Sequence, residues 1–454
     1  MITSLKYNCF LLNLKDRLIL NLKPQVIYGI VSGFYEQLIF HQIFNIFFYG
    51  ILILVLLHTI LYLSMALVAC FRRDHETPLL DNGFEPFVTI QIPTRNELAA
   101  IQCAKCCFNF DYPKNKMQII IGDDSDDTHV QTELDKFAAK NPDIITISRR
   151  GNNIGFKSGN LNAMMPLSKG KYIAVFDSDF LPQPNFLRKM LYPLENDSSL
   201  ILTQARWKIH NLDQNLYSLL GGTISFFTHY AAYPFLKAIG ANSYIGGSGY
   251  VIRKSAIEEI GGWREGSLTE DAEASLELIK RGKKMLYLED VIVECEAPFT
   301  LEDTYKQQKR WAFGNVSVFR RNCMAVWKSK KTKLIDKISV LIFVSGYIYP
   351  FLLALLIIFG FLQLIIPNPY LPPLPLILIF LNLLIVFLLS QISFFTSSLV
   401  LFRNKKKHLI PKLILSTFLY GGTILYHVNI GTLKALFGKR MKWYLLEKNA
   451  NKLN

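Results

Sequence analysis

The chain has 454 residues, 51% of them hydrophobic, and a formal net charge of +15, which leaves room for one large catalytic domain beside a membrane portion. Its basic residues crowd at the ends of apolar blocks, a placement that excludes a nucleic-acid-binding role. Its seven cysteines stand largely in apolar surroundings, which suits a reducing compartment and excludes a disulfide framework.

Residues 1–45 set Lys6, Lys15, Arg17 and Lys23 among Leu, Ile and Tyr, and read as an interfacial segment. No short apolar stretch with a small-residue cleavage site precedes the first apolar block, so that block is expected to stay as an anchor. Between Glu36 and Arg72 there is no Lys, Arg, Asp or Glu, and residues 46–71 are long enough to span a bilayer as one helix.

Residues 86–300 alternate short β-rich runs with helical ones. Phe87 to Ile92, Met117 to Ile121, Ile144 to Ile147 and Tyr172 to Phe176 read as strands. The pattern predicts an α/β domain with a mostly parallel sheet, and ligands of such sheets bind at the carboxyl ends of the strands. Polar clusters fall at those ends: Pro93 to Glu97, Asp123-Asp124-Ser125 and Asp177-Ser178-Asp179. Cys103, Cys106 and Cys107 have metal-like spacing, but they fall in a predicted helix with no second Cys or His cluster, so helix packing is the expectation there.

Asp177 and Asp179 flank Ser178, and the two-residue period of a strand turns both carboxylates to one side, where a hard divalent cation, Mg2+ or Mn2+, collects oxygen ligands. Asp123 and Asp124 are placed either to accept hydrogen bonds from a nucleoside or to cap the helical pattern that follows Ser125, Asp126 and Asp127. Thr269-Glu270-Asp271 opens a helix that stops at Lys280-Arg281-Gly282. An Asp near a helix N-terminus stays ionised more readily, which suits either a base that takes a sugar hydroxyl proton or a plain cap.

In Gln307-Gln308-Lys309-Arg310-Trp311, residues 307, 310 and 311 share one helical face within an amphipathic segment, 301–337. Arg grips phosphate, Gln bonds hydroxyls and an indole stacks on a pyranose ring; packing at a membrane surface is the alternative. From Ile338 to Phe402 no charged residue occurs, and Pro367, Pro369, Pro372, Pro373 and Pro375 divide the stretch into spans at 338–366 and 376–402. A third block, 409–433, follows the basic run Arg403, Lys405, Lys406, Lys407, and a basic tail covers 434–454. The basic flanks place the middle domain in the cytoplasm. Three later spans would then leave Lys439, Arg440 and Lys442 outside, so the Gly421-Gly422 block is expected to be either spanning or re-entrant.

The ordered set resembles family 2 glycosyltransferases of the cellulose, chitin, hyaluronan and mannan synthase type. Their first Asp, DxD, TED and QxxRW correspond to Asp124 beside Asp123, Asp177-Ser178-Asp179, Thr269-Glu270-Asp271 and Gln307 to Trp311. Lesser matches are Gly155 to Asn162, Gln204 to Trp207 and Gly246 to Gly249. The resemblance implies a GT-A nucleotide-sugar-binding domain flanked by transmembrane helices and a divalent metal at Asp177 and Asp179. It further implies a base at Asp271 and donor contacts from Thr94, Glu97, Asp123, Asp124, Lys157, Asp177 and Arg310. Acceptor contacts would come from Gln307, Trp311, Glu270 and Gly247. Two departures stand out. Arg95 replaces an aromatic of the first loop, and in Trp443 to Lys448, which is similar to a cellulose-synthase gating segment, Leu446 replaces a hydroxyl residue.

The expected function is inverting transfer of a hexose from a UDP- or GDP-sugar to a growing β-linked polysaccharide, at the lipid bilayer. The alternative is single addition to a membrane lipid, as in ceramide glucosyltransferases. A non-catalytic scaffold is disfavoured because metal carboxylates, base and QQKRW occur together.

Overall fold

A computed structural model of the chain describes residues 24–365, 384–385, 388–389, 391–441, 444 and 447. The interfacial segment up to residue 23, the five prolines between 367 and 375, much of the expected span 376–402, and Trp443, Leu445, Leu446 and Lys448 lie outside the described residues.

An eight-stranded sheet has the order β3-β2-β1-β4-β7-β6-β8-β5. Its strands are β1 (Val88–Thr94), β2 (Met117–Asp123), β3 (Ile145–Ser148), β4 (Tyr172–Val175), β5 (Leu181–Pro182), β6 (Leu200–Ile209), β7 (Tyr250–Arg253) and β8 (Lys284–Cys295). The helices before and within the sheet are α1 (Pro24–Phe71), α2 (Ala99–Phe108), α3 (Thr128–Ala138), α4 (Phe156–Met164), α5 (Phe186–Asn196), α6 (Leu216–Phe227), α7 (Tyr233–Ala238), α8 (Lys254–Ile260) and α9 (Glu270–Lys280). After the sheet come α10 (Leu301–Lys328), α11 (Leu334–Ile365), α12 (Ile392–Arg403) and α13 (Ile410–Leu436).

β1 pairs parallel with β2 and β4, and β2 with β3. Beyond β4 the sheet is mixed: β7 runs antiparallel to β4 and β6, and β5 to β8, while β6 and β8 are parallel. The alternation of a strand distributes neighbours to two cores. Ile119 and Ile121 enter one with Phe176 and Phe186, whereas Ile120, Ile173 and Val175 enter the other with Leu161, Met164 and Trp263. Every residue of β1 is buried, and its buried polar side chains make hydrogen bonds, although Gln91 Oε1 has no partner among the described residues. Gln91 Nε2 donates to Ser168 Oγ at 3.0 Å, and Thr89 Oγ1 donates to Gln118 Oε1 at 3.1 Å. Cys103 and Cys107 are buried on α2 in the first core, and no cluster of three or more metal-ligating side chains occurs among the described residues.

Two compact units emerge: His58–Phe351 with Gln391–Asn454, which contains the sheet, and Met1–Leu57 with Leu352–Ser390. In the second, the rings of Phe44 and Phe359 meet at 5.1 Å. Among the described residues, Gln42–Phe71, Leu334–Leu362 and Lys407–Leu436 are long and apolar enough to cross a membrane. The last of these packs along α10: Tyr305 and His427 stack at 4.0 Å. A Cβ on Gly431 would stand 2.5 Å from the Lys309 carbonyl, so only glycine allows that approach.

Candidate active site

The carboxyl ends of β1, β2 and β4, the start of α9 and one face of α10 surround a single cavity of about 280 Å³. It is lined by Thr94, Glu97, Asp124, Lys157, Asp177, Asp179, Gly247, Glu270, Asp271, Gln307, Arg310 and Trp311. Of the residues singled out in the sequence, Asp123 alone lines instead an adjoining cavity of about 360 Å³, bounded also by Arg95, Asp124, Asp126, Arg149 and Asn153.

The first loop is clamped to the second. Asn96, in the left-handed region at φ 55°, donates its backbone N–H to Ser125 Oγ at 2.7 Å and accepts from the backbone N–H groups of Asp126 and Asp127. Asp127 is the residue that caps α3, accepting from the His129 N–H at 2.8 Å. Neither Asp123 nor Asp124 caps α3; the Ser125 N–H donates to Asp123 Oδ1 at 3.0 Å. Arg149 Nε donates to Asp123 Oδ2 at 2.7 Å, and Arg150 grips both oxygens of Asp124, at 2.8 and 2.5 Å. Bidentate pairing of this kind fixes a carboxylate plane. Glu97 is buried and accepts from Ser178 Oγ, which ties the first loop to the Asp-Ser-Asp turn.

Helix α4 begins at Gly155, whose φ of 74° favours glycine. It carries Lys157 into the cavity, where Nζ lies 2.6 Å from Asp177 Oδ1 and 3.1 Å from Glu270 Oε1 and donates to the Gly247 carbonyl at 2.7 Å. Burial alone would lower the pKa of this ammonium, but the Asp177 and Glu270 carboxylates outweigh it and hold the group well above its ordinary range. Close approach of α4 to β2 depends on Gly122: a Cβ there would fall 1.9 Å from Asn160 Oδ1. Asn160 Nδ2 also donates to the Gly122 carbonyl.

Asp177 is set by its own N–H, which donates to Ser248 Oγ at 2.9 Å, and its side chain remains 31% exposed to the cavity. Asp271, in the first turn of α9, accepts from the Ala272 N–H at 2.8 Å. Burial, and then the neighbouring Glu270 carboxylate, push its pKa up to about 7, against the opposing influence of Lys157 and Arg310. Arg310 donates to the Leu268 carbonyl at 3.3 Å, and its Nε is buried without a hydrogen-bond partner.

Several lining residues were missed in the sequence. Glu296 is one: its side chain is 8% exposed, and His210 Nε2 stands 3.8 Å away. Extending the antiparallel pairing of Leu181 with Glu294 by two places brings Asp179 level with Glu296. His229, Tyr233 and Tyr347 are others. Tyr444 and Glu447 also reach the cavity, and the Glu447 N–H donates to Asp303 at 3.3 Å.

Residues 172–391 match the family model described as "Glycosyl transferase family group 2". Over 308 residues the chain is 31% identical to glucomannan 4-beta-mannosyltransferase 1 of Oryza sativa subsp. japonica, covering 66% of this chain and 58% of that protein. It is 30% identical over 284 residues to glucomannan 4-beta-mannosyltransferase 2 of Arabidopsis thaliana, covering 60% and 52%. The chain thus spans little more than half the length of these relatives. Mannosyltransferase PcManGT from Pyrobaculum calidifontis, solved with GDP-Man and Mn2+, superposes with a TM-score of 0.61 at 16% identity, over 87% of this chain and all of that one. Ordered motifs, mixed sheet and matches converge: residues 172–391 match a family 2 glycosyltransferase domain, and the sheet has a GT-A fold.

Proposed function

We propose that the protein is a membrane-bound, metal-dependent, inverting glycosyltransferase that extends a β-linked polysaccharide from a nucleotide-sugar, with GDP-mannose the first donor to test. The observation that carries this reading is the single cavity shared by Asp177, Asp179, Lys157 and a high-pKa Asp271. The mannosyltransferase relatives and GDP-Man in the structural neighbour support the choice of donor; the three apolar helices support the membrane.

The two Asp-x-Asp carboxylates, with no third metal-ligating side chain clustered beside them among the described residues, fit a hard cation that takes its remaining ligands from phosphate and water. Bound there, Mg2+ or Mn2+ would neutralise charge on the departing diphosphate. Lys157 adds a second positive charge at the same end. Thr94, Glu97, Asp123 and Asp124 shape the nucleoside end, and Gln307, Trp311, Glu270 and Gly247 the acceptor end.

Asp271 accepts the proton of the acceptor hydroxyl as that oxygen bonds to the anomeric carbon. The carbon–oxygen bond to the diphosphate breaks on the opposite side, so the configuration inverts. A base poised near neutrality suits this transfer. Incubating the purified protein with labelled GDP-mannose, GDP-glucose and UDP-sugars, then sizing the product, tests the reading. Polymer from GDP-mannose is expected. A single sugar on lipid would move the assignment to a lipid glycosyltransferase, and no transfer from any donor would overturn it.

A further inference from the structure

The base and the acceptor-binding residues sit on different helices. Asp271 is on α9, whereas Gln307 and Trp311 are on α10, and β8 intervenes in the chain. A base works only within hydrogen-bond reach of the proton it takes, so the contact between α9 and α10 fixes the reacting distance.

That contact is made along one stripe of α10. Arg310 holds the Leu268 carbonyl. One turn on, Gly314 admits Thr269, whose Cγ2 would lie 2.3 Å from a Cβ at that position. Two further turns along, at about 3.6 residues per turn, Arg321 and Asn322 converge on Glu273. This carboxylate is 4% exposed and pairs with Arg321, while Asn322 Nδ2 donates to its Oε1 at 2.7 Å. Arg264, from the loop before α9, approaches the same Oε1 at 3.5 Å. Glu273 lines no part of the cavity. A buried acid with three such partners, two residues past the base, does nothing for substrate directly; it locks the first turn of α9 to α10.

We propose that Glu273 is the positioning residue that sets the distance between Asp271 and the acceptor held on α10, an inference that rests on the glycosyl-transfer reading. A sugar acceptor held by Trp311 and Gln307 depends on that distance. Water attacking the donor is not held by α10 and does not.

Glu273→Gln removes the ion pair and keeps the shape of the side chain. Arg321→Met acts on the more exposed partner, 34% accessible, and is a second route should the first variant fold poorly. In both, sugar transfer is expected to fall about tenfold to a hundredfold, the scale of a misplacement near 1 Å. Donor hydrolysis should change less than about twofold and donor KM little, so the ratio of hydrolysis to transfer rises. Transfer and hydrolysis falling in parallel, or both staying at the wild-type level, would overturn the proposal. Hydrogen exchange of the same proteins reads the clamp without turnover: amides of the first turns of α9 should exchange faster while those of β1 and β2 do not. Unchanged exchange in α9 overturns the clamp whatever the substrate. Wild-type protein that neither transfers nor hydrolyses any nucleotide sugar overturns the transferase reading instead, and faster α9 exchange in the variants then still supports the clamp.

Discussion

Gly247 and Asp271 are packed so closely that a Cβ on the glycine would stand 3.0 Å from Asp271 Oδ2. The glycine also has φ of 91°, a conformation that costs an L-residue on the order of 1–3 kcal/mol. Gly247→Ala should therefore lower thermal stability by about that amount and turnover more than stability explains, because the added methyl pushes on the base. Measuring both on one preparation separates the effects; wild-type turnover in the variant would show that the turn does not constrain Asp271.

Asp179→Ala should abolish transfer and leave the protein folded and inserted, since it removes a carboxylate from the cavity rather than from either core. Chelation of the wild type should have the same effect, reversed by adding Mn2+ or Mg2+. Full activity in the presence of chelator would remove the metal from the mechanism.

Arg150→Met strips the bidentate partner from Asp124, whose side chain is only 3% exposed. Breaking a buried pair from one side costs about 3–5 kcal/mol, and here the strain falls on the loop between β2 and α3. Lower thermal stability and weaker nucleoside diphosphate binding by calorimetry are expected together. Unchanged affinity would mean that Asp124 serves the fold and not the donor.

The parts of this arrangement that local pattern encodes were legible in the sequence. β1 to β4 are apolar runs ending in polar turns, and the helix at Glu270–Lys280 has start and stop residues at both ends. The parts set by distant pairing were not. Periodicity carries no strand direction, so the antiparallel insertion of β7 and the short β5 stayed hidden behind an expected mostly parallel sheet. Arg149 and Arg150 find their carboxylates 26 residues upstream, and Glu296 reaches the cavity only because β8 runs beside β5. Two adjacent arginines between two acidic clusters were the one signal available for the former; for the latter there was none.

The pH profile isolates the base. With its pKa pushed up to about 7, Asp271 is largely protonated below neutrality and cannot accept a proton, so kcat should rise about tenfold per pH unit at low pH and flatten above about pH 7. Asp271→Asn keeps size and much of the hydrogen bonding but has no basic oxygen. Turnover should fall by roughly a hundredfold to ten-thousandfold, and the residual rate should lose this acidic limb. Nucleoside diphosphate affinity should hold, because that end of the cavity is shaped by Glu97, Asp124 and Lys157. Lys157 is one of the charges that lower the Asp271 pKa, so Lys157→Met should move the limb to higher pH as well as weakening donor binding. An acidic limb that persists unmoved in Asp271→Asn would assign it to another group and leave Asp271 as a residue of the helix start alone.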